Sequence, residues 1–365
     1  IFVKKLTYMK ILKNFIFLIL SFVILFSGCA GEVPWQGPPT AFGQRNQVVV
    51  VSDKGVWESP IGDSVDFYFA SPYLVLPQPE PILDLLPFTP EELGYDPVKK
   101  QLKTYVFIAD MEDENSPTTQ LIKADIGAEK LREVKETSGF GNNVGRNKWA
   151  QGQLLVYMYA FGKEKLIENV QKNASSIISR INKEEIKRVD ATAYMGGENW
   201  SLGEEVVANF GVKLKIPVEY QKAVYDDKDQ FLWIRRDTRD ANTNIFIHKL
   251  KYFDQAQLSR DTMKSIRNHL GRYVSTDNKN SYMKINDVDL PMFIESKTID
   301  NNYALEARGI WDMKNDFMGG PFISYLIHNP KKNELLFIDG FVHAPGEDKR
   351  DHMQELEYIL QGIRM

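Results

Sequence analysis

The sequence predicts an α+β fold in two parts, and three observations carry that prediction. Runs such as "QVVVVSD", "TYVFIAD" and "QLLVYMYAF" are dense in β-branched and aromatic residues and read as buried strands. The first half interleaves such runs with helical patterns, whereas in the second half strand-like runs follow one another and a helix closes the chain. The 365 residues are 43% hydrophobic and 12% aromatic, enough for two cores.

Taken in order, residues 15–26 form an apolar run broken only by Ser21 and preceded by Lys10 and Lys13. The run is shorter than the ~20 residues of a spanning helix. Basic residues, an apolar stretch and then small residues describe a signal peptide over residues 1–28, with Met9 as the expected start. Leu25, Phe26, Ser27, Gly28 and Cys29 resemble the lipobox of bacterial lipoproteins, whose cysteine is acylated and becomes the mature N-terminus. Phe26 departs from the commoner leucine. Cys29 is the only cysteine of the chain, so no disulfide competes for its thiol. Two or more acyl chains would make the membrane the first expected partner. The expected location is the cell envelope, at the outer membrane.

Residues 29–46, rich in Gly and Pro, read as a lipidated tether. An N-terminal α+β domain is expected over 47–200 and a C-terminal one over 205–365. In the first, a strand at "QVVVVSD" precedes a helix carrying Ile61, Val65 and Phe69. The segment from Pro72 to Pro90 holds six prolines, which forbid a helix interior or a central strand, so an extended crossing is expected. The clearest helix places Leu166, Val170, Ala174, Ile177 and Ile181 on one stripe. The order β-α-β-β-α is a ferredoxin-like half-pattern. The second half reads as an antiparallel-sheet layer with a helix near 257–270 and another at about 347–362.

Without the first 28 residues the formal charge is −8, and a mildly acidic body with no basic stripe excludes nucleic acid as an expected partner. "GFGNNVG" has neither the spacing nor the following helix of a phosphate loop, and a glycine-rich hairpin is expected. Asp240, Asn242 and Asn244 alternate as in a calcium loop, but Ile245 and Lys251 stand where glycine and a bidentate glutamate are required. An Asx-rich turn explains them better. "DMEDEN" reads as a solvated strand-end loop. His248, His269, His328, His343 and His352 show no metal-ligand spacing, so neither a metal nor a cofactor is expected. Asp339 and His343 share a strand face but lie ~13 Å apart. Glu306 and Arg308 share another face, from which an ion pair to "WIRRD" is expected. No activated nucleophile is legible. The loop Phe317, Met318, Gly319, Gly320, Pro321 and Phe322 is the candidate ligand or partner loop, against the alternative of a hairpin plugged into its own core. Asp63-Ser64-Val65 and Asp261-Thr262-Met263 resemble O-glycosylation acceptors of Bacteroidetes.

The stretches "VVVVSDKGVWESPIGD", "LPQPEP", "FLWIRRDT", "ALEARGIWDMKNDFMGGPF" and "DGFVHAPGEDKR" resemble the Bacteroidetes lipoprotein family of the domain of unknown function 4837, over roughly residues 46–363. The resemblance implies a Gram-negative envelope location and assigns no site residues. The second half also resembles the layered domains of the PsbP and Mog1 type, at the level of pattern only. The expected role is an envelope lipoprotein that binds or assembles rather than catalyses, with an envelope protein as the second partner. The alternative is a hydrolase or other enzyme acting on envelope polymers or glycans, with its site near the "FMGGPF" loop and the "FVHAP" strand end.

Overall fold

The computed structural model describes residues 37–365. Cys29, the signal sequence and the start of the tether lie outside the described residues. The end of the tether is held: Thr40 bridges Gln151, Phe42 bridges Leu102, and Asn46 is fully buried. The spacer expected up to residue 46 is therefore pinned from Thr40 onward by backbone pairing, which composition alone does not reveal.

The first half comprises β1 (Gln47–Val51), α1 (Lys54–Trp57), α2 (Pro60–Phe69), β2 (Asp84–Phe88), α3 (Pro90–Tyr95), β3 (Thr104–Asp110), α4 (Pro117–Ile126), α5 (Ala128–Glu136), β4 (Phe140–Arg146), β5 (Leu154–Ala160) and α6 (Lys163–Ala193). The sheet order is β2-β1-β3-β5-β4, parallel throughout except β4, which pairs antiparallel with β5. This corrects the ferredoxin-like half, in which β3 and β5 would form an antiparallel pair. The segment "PTTQLIKADIGAEKLREVKE" folds as α4 and α5, and that crossover is what a parallel β3–β5 pair requires. All seven residues of β3 and of β5 are buried, as strands covered on both faces must be. Helices α2 and α6 cover one face, with the stripe Leu166, Val170, Ala174, Ile177 and Ile181 in the core, while α3, α4 and α5 cover the other. Pro87 is accommodated because β2 is an edge strand that pairs only with β1.

The second half comprises α7 (Trp200–Phe210), β6 (Gln221–Asp226), β7 (Phe231–Asp237), β8 (Asn242–Lys251), α8 (Arg260–Leu270), β9 (Tyr282–Asn286), β10 (Phe293–Ile299), β11 (Asn302–Lys314), β12 (Gly319–Asn329), β13 (Glu334–His343) and α9 (Arg350–Gln361). Its antiparallel sheet runs β10-β11-β12-β13-β8-β7-β6, with β9 beside the far end of β11. Side chains from α7 and α9 fill one face and those from α8 the other. The molecule is a mixed α+β structure with one largely parallel and one antiparallel sheet. Helix α6, 31 residues and ~46 Å long, outreaches its own sheet. At its far end Asp190 accepts a 2.7 Å hydrogen bond from the hydroxyl of Tyr358 on α9.

Candidate functional site

Helix α9 stands where the two layered halves meet, and no side chain of its own caps its N-terminus. Glu80 supplies the cap from 269 residues away: Oε1 accepts from the Lys349 amide at 2.7 Å, and Oε2 accepts from the Arg350 amide at 2.8 Å. A carboxylate at this end also meets the positive pole of the helix. Arg350 donates to both oxygens of Asp84 at 3.0 and 2.7 Å and to the Pro81 carbonyl at 2.7 Å. Asn46 donates to Asp351 Oδ1 and Gln354 Oε1, both at 2.9 Å. Glu355 accepts from Arg45 at 3.2 Å and from Arg236 of β7 at 2.6 Å, tying the first half and the second sheet to one carboxylate. Farther along α9, Glu357 accepts from Arg308 at 2.6 Å and from the Tyr73 hydroxyl at 3.2 Å. The ion pair expected from Arg308 to "WIRRD" thus forms with Glu306 and Glu357 instead, and Arg236 of that stretch turns to Glu355.

Part of this network borders a crevice of about 720 Å³, walled by Arg45, Asp84, Arg236, Asp240, Arg350 and His352 among others. Burial opposes the charge of Arg350, but its hydrogen bonds to Asp84 and the charge of Asp351 outweigh it and raise its pKa. Burial likewise opposes Arg236, and Tyr220 and Glu355 reverse the direction. His352 is pushed below the usual imidazole range by burial, opposed by Glu355 and reinforced by Arg236 and Arg45. Titratable groups converge in a concavity here, yet each of the three guanidinium groups is bound to a carboxylate. What the geometry performs is the fastening of one layered half to the other.

Of the loop at 317–322, Phe317 is fully exposed at the β11–β12 turn, whereas Phe322 is buried in the core. Gly320 is required by close approach, since a Cβ there would lie 1.9 Å from the Val342 carbonyl oxygen. Asp339 is fully buried and bound by Arg267 and Ser324, while His343 Nδ1 lies 3.3 Å from the Gly319 carbonyl. The two do not converge on a common point. Of the other histidines, His248 meets the Gln230 carbonyl, His269 meets Asp229, and His328 leans on Tyr252. Among the described residues no cluster of three or more His, Cys, Asp or Glu could hold a metal ion. Asn242 donates to Asp237 at 2.6 Å and Asn244 accepts from Trp233 Nε1 at 3.0 Å, so the calcium-like stretch is the end of the β7–β8 turn, at Asp240, and the start of β8. "GFGNNVG" is β4; a Cβ on Gly141 would meet the Tyr159 ring at 2.8 Å. The acidic stretch Asp110–Asn115 precedes α4, whose N-cap is Ser116; Asp110 Oδ1 accepts instead from the amides of Glu112 and Gly162. Ser64 and Thr262 both lie within helices.

The docking residues Arg45, Asn46, Glu80 and Asp84 were not singled out from sequence. The available signal was polar residues inside stretches read as tether and crossing segment. A second concavity, of about 450 Å³, lies along α7 and is lined by Trp200, Val207, Leu214 and Ile216 among others. Trp200 is 71% exposed there. Helix α7 turns Leu202, Val206 and Phe210 into the core, which leaves Trp200, Gly203 and Val207 along its outer side.

Residues 41–194 match the family model of the Domain of unknown function (DUF8532). No curated protein matches the chain. Among solved structures, the Saccharomyces cerevisiae Ran-binding protein Mog1p is 12% identical over 42% of this chain and 89% of its own, with a TM-score of 0.28. LpqN of Mycobacterium tuberculosis, described as involved in cell envelope biogenesis, is 10% identical over 42% of this chain and 82% of its own, with a TM-score of 0.26. The resemblance expected over residues 46–363 is confined to the second half: residues 200–362, from α7 through α9, match the Domain of unknown function (DUF4837).

Proposed function

We propose that this chain is a non-enzymatic binding or assembly component of the bacterial cell envelope, held at the outer membrane through an acylated Cys29. One observation carries the binding role: the groove beside α7, lined by the exposed Trp200 and Val207 together with Leu214 and Ile216. Large exposed aromatics at a concave apolar surface are the anchors of protein interfaces. The partner is an envelope protein that offers an apolar side chain to Trp200. The lipobox-like run before Cys29 supports the anchor.

A photo-crosslinking amino acid placed at position 200 of the full chain, in living cells, tests the reading. One discrete adduct that Val207→Asp abolishes is the expected result; no adduct, or one that Val207→Asp leaves unchanged, overturns the binding role. The anchor is tested separately by palmitate labelling, which Cys29→Ser should abolish. Equal labelling of both chains would overturn it.

A further inference from the structure

Strand β10 ends the second sheet, and among the described residues its backbone pairs only with β11. Its outer edge is open over Phe293–Ile299, with Phe293 half-exposed and Glu295, Ser296 and Thr298 exposed. Glu295 and Lys297 project from one face and bond each other at 2.8 Å. We propose that this edge pairs with the same edge of a second copy of the chain, antiparallel about Ser296, so that two antiparallel sheets join into one.

The order of side chains selects this occupant. "FIESKTI" is close to a palindrome in chemistry: about a two-fold axis at Ser296, each Glu295 faces the other copy's Lys297, Ile294 faces Thr298, and the exposed Phe293 lies opposite Ile299. A two-fold contact requires a self-complementary patch, and opposite charges equidistant from a central residue provide one. The residues of an antiparallel strand that hydrogen-bond outward alternate with those that bond inward. In a seven-residue strand both sets are symmetric about the middle, so the ladder closes whichever set faces out. Charges on an edge strand commonly prevent pairing. Here they discriminate: an in-register parallel pair would set Glu295 against Glu295 and Lys297 against Lys297, whereas the antiparallel pair matches them.

Sedimentation of the full chain in detergent across a concentration series measures the association. The expected result is a reversible dimer. Glu295→Lys, which sets lysine against lysine at two symmetric positions, raises its Kd roughly ten-fold or more. Combining it with Lys297→Glu restores the Kd to within about three-fold. In a Cys29→Ser background, Ser296→Cys should yield a disulfide-linked dimer under mild oxidation, because residues facing each other across the pair come within disulfide reach. Thr298→Cys should not, since its copies would lie roughly 13 Å apart. The cysteine arm stands even if a charge variant folds poorly. A monomer up to about 500 µM, a dimer indifferent to the charge exchange, or crosslinking at 298 equal to that at 296 overturns the proposal.

Discussion

Arg267 and Asp339 meet inside the core beneath α8, 3.1 Å apart and without solvent contact, with the guanidinium 3.8 Å over the ring of Phe322. Burial pushes the Asp339 carboxyl up and the Arg267 guanidinium down, and each charge opposes the shift of the other. Arg267 Nη1 and Asp339 Oδ2 have no partner among the described residues. Such a pair is far less tolerant of losing one member than of losing both. Arg267→Met should therefore lower unfolding free energy by ~3–5 kcal/mol, and adding Asp339→Leu should recover most of the loss, as read from urea unfolding. A double variant no more stable than the single one would contradict this account. From sequence, Asp339 was legible only as a strand residue sharing a face with His343. Its partner lies 72 residues away on a helix, and strand alternation says which face a residue occupies but not what reaches it from another element.

Helix α9 illustrates what elements disclose and conceal. Its existence and near-boundaries followed from periodicity, 347–362 expected against Arg350–Gln361 found. The stripe of α6 was likewise legible because 31 residues keep one phase. Helices α4 and α5 were not, because Gly127, at a φ of 85°, breaks the phase between two short segments. Without them β3 and β5 read as consecutive strands, the β-β step of the ferredoxin-like half-pattern, whereas they pair in parallel. The cap of α9 by Glu80 was equally hidden, since capping signals are sought in adjacent sequence. Glu80→Ala should cost about 1–2 kcal/mol. It should also separate the unfolding of the two halves, with probes in each no longer reporting one transition. Coincident transitions with unchanged midpoint would show that the cap does not couple them.

For the whole molecule, two histidines disfavoured as cations by burial bear on the acid side of stability. Burial holds His248 and His352 below the usual value of 6.5. The unfolded chain thus takes up protons that the folded one refuses. Their contribution is complete above 6.5 and is lost as the pH falls below it. The urea midpoint should be lower at about pH 5.5 than at about pH 7.5, and His352→Gln should narrow the difference. A midpoint independent of pH across that range would contradict the assignment. Because His352 sits among Arg45, Arg236, Asp351 and Glu355, its protonation adds a cation to the fastening between the halves.

That fastening also has a history in time. Glu80 and the first turn of α9 are separated by 269 residues, so closing it carries the entropy of a very long loop and comes late in folding. Until α9 docks, Glu80, Asp84 and Asn46 lack the partners it gives them. A chain in which α9 is undocked would display that face unfilled to proteases and chaperones.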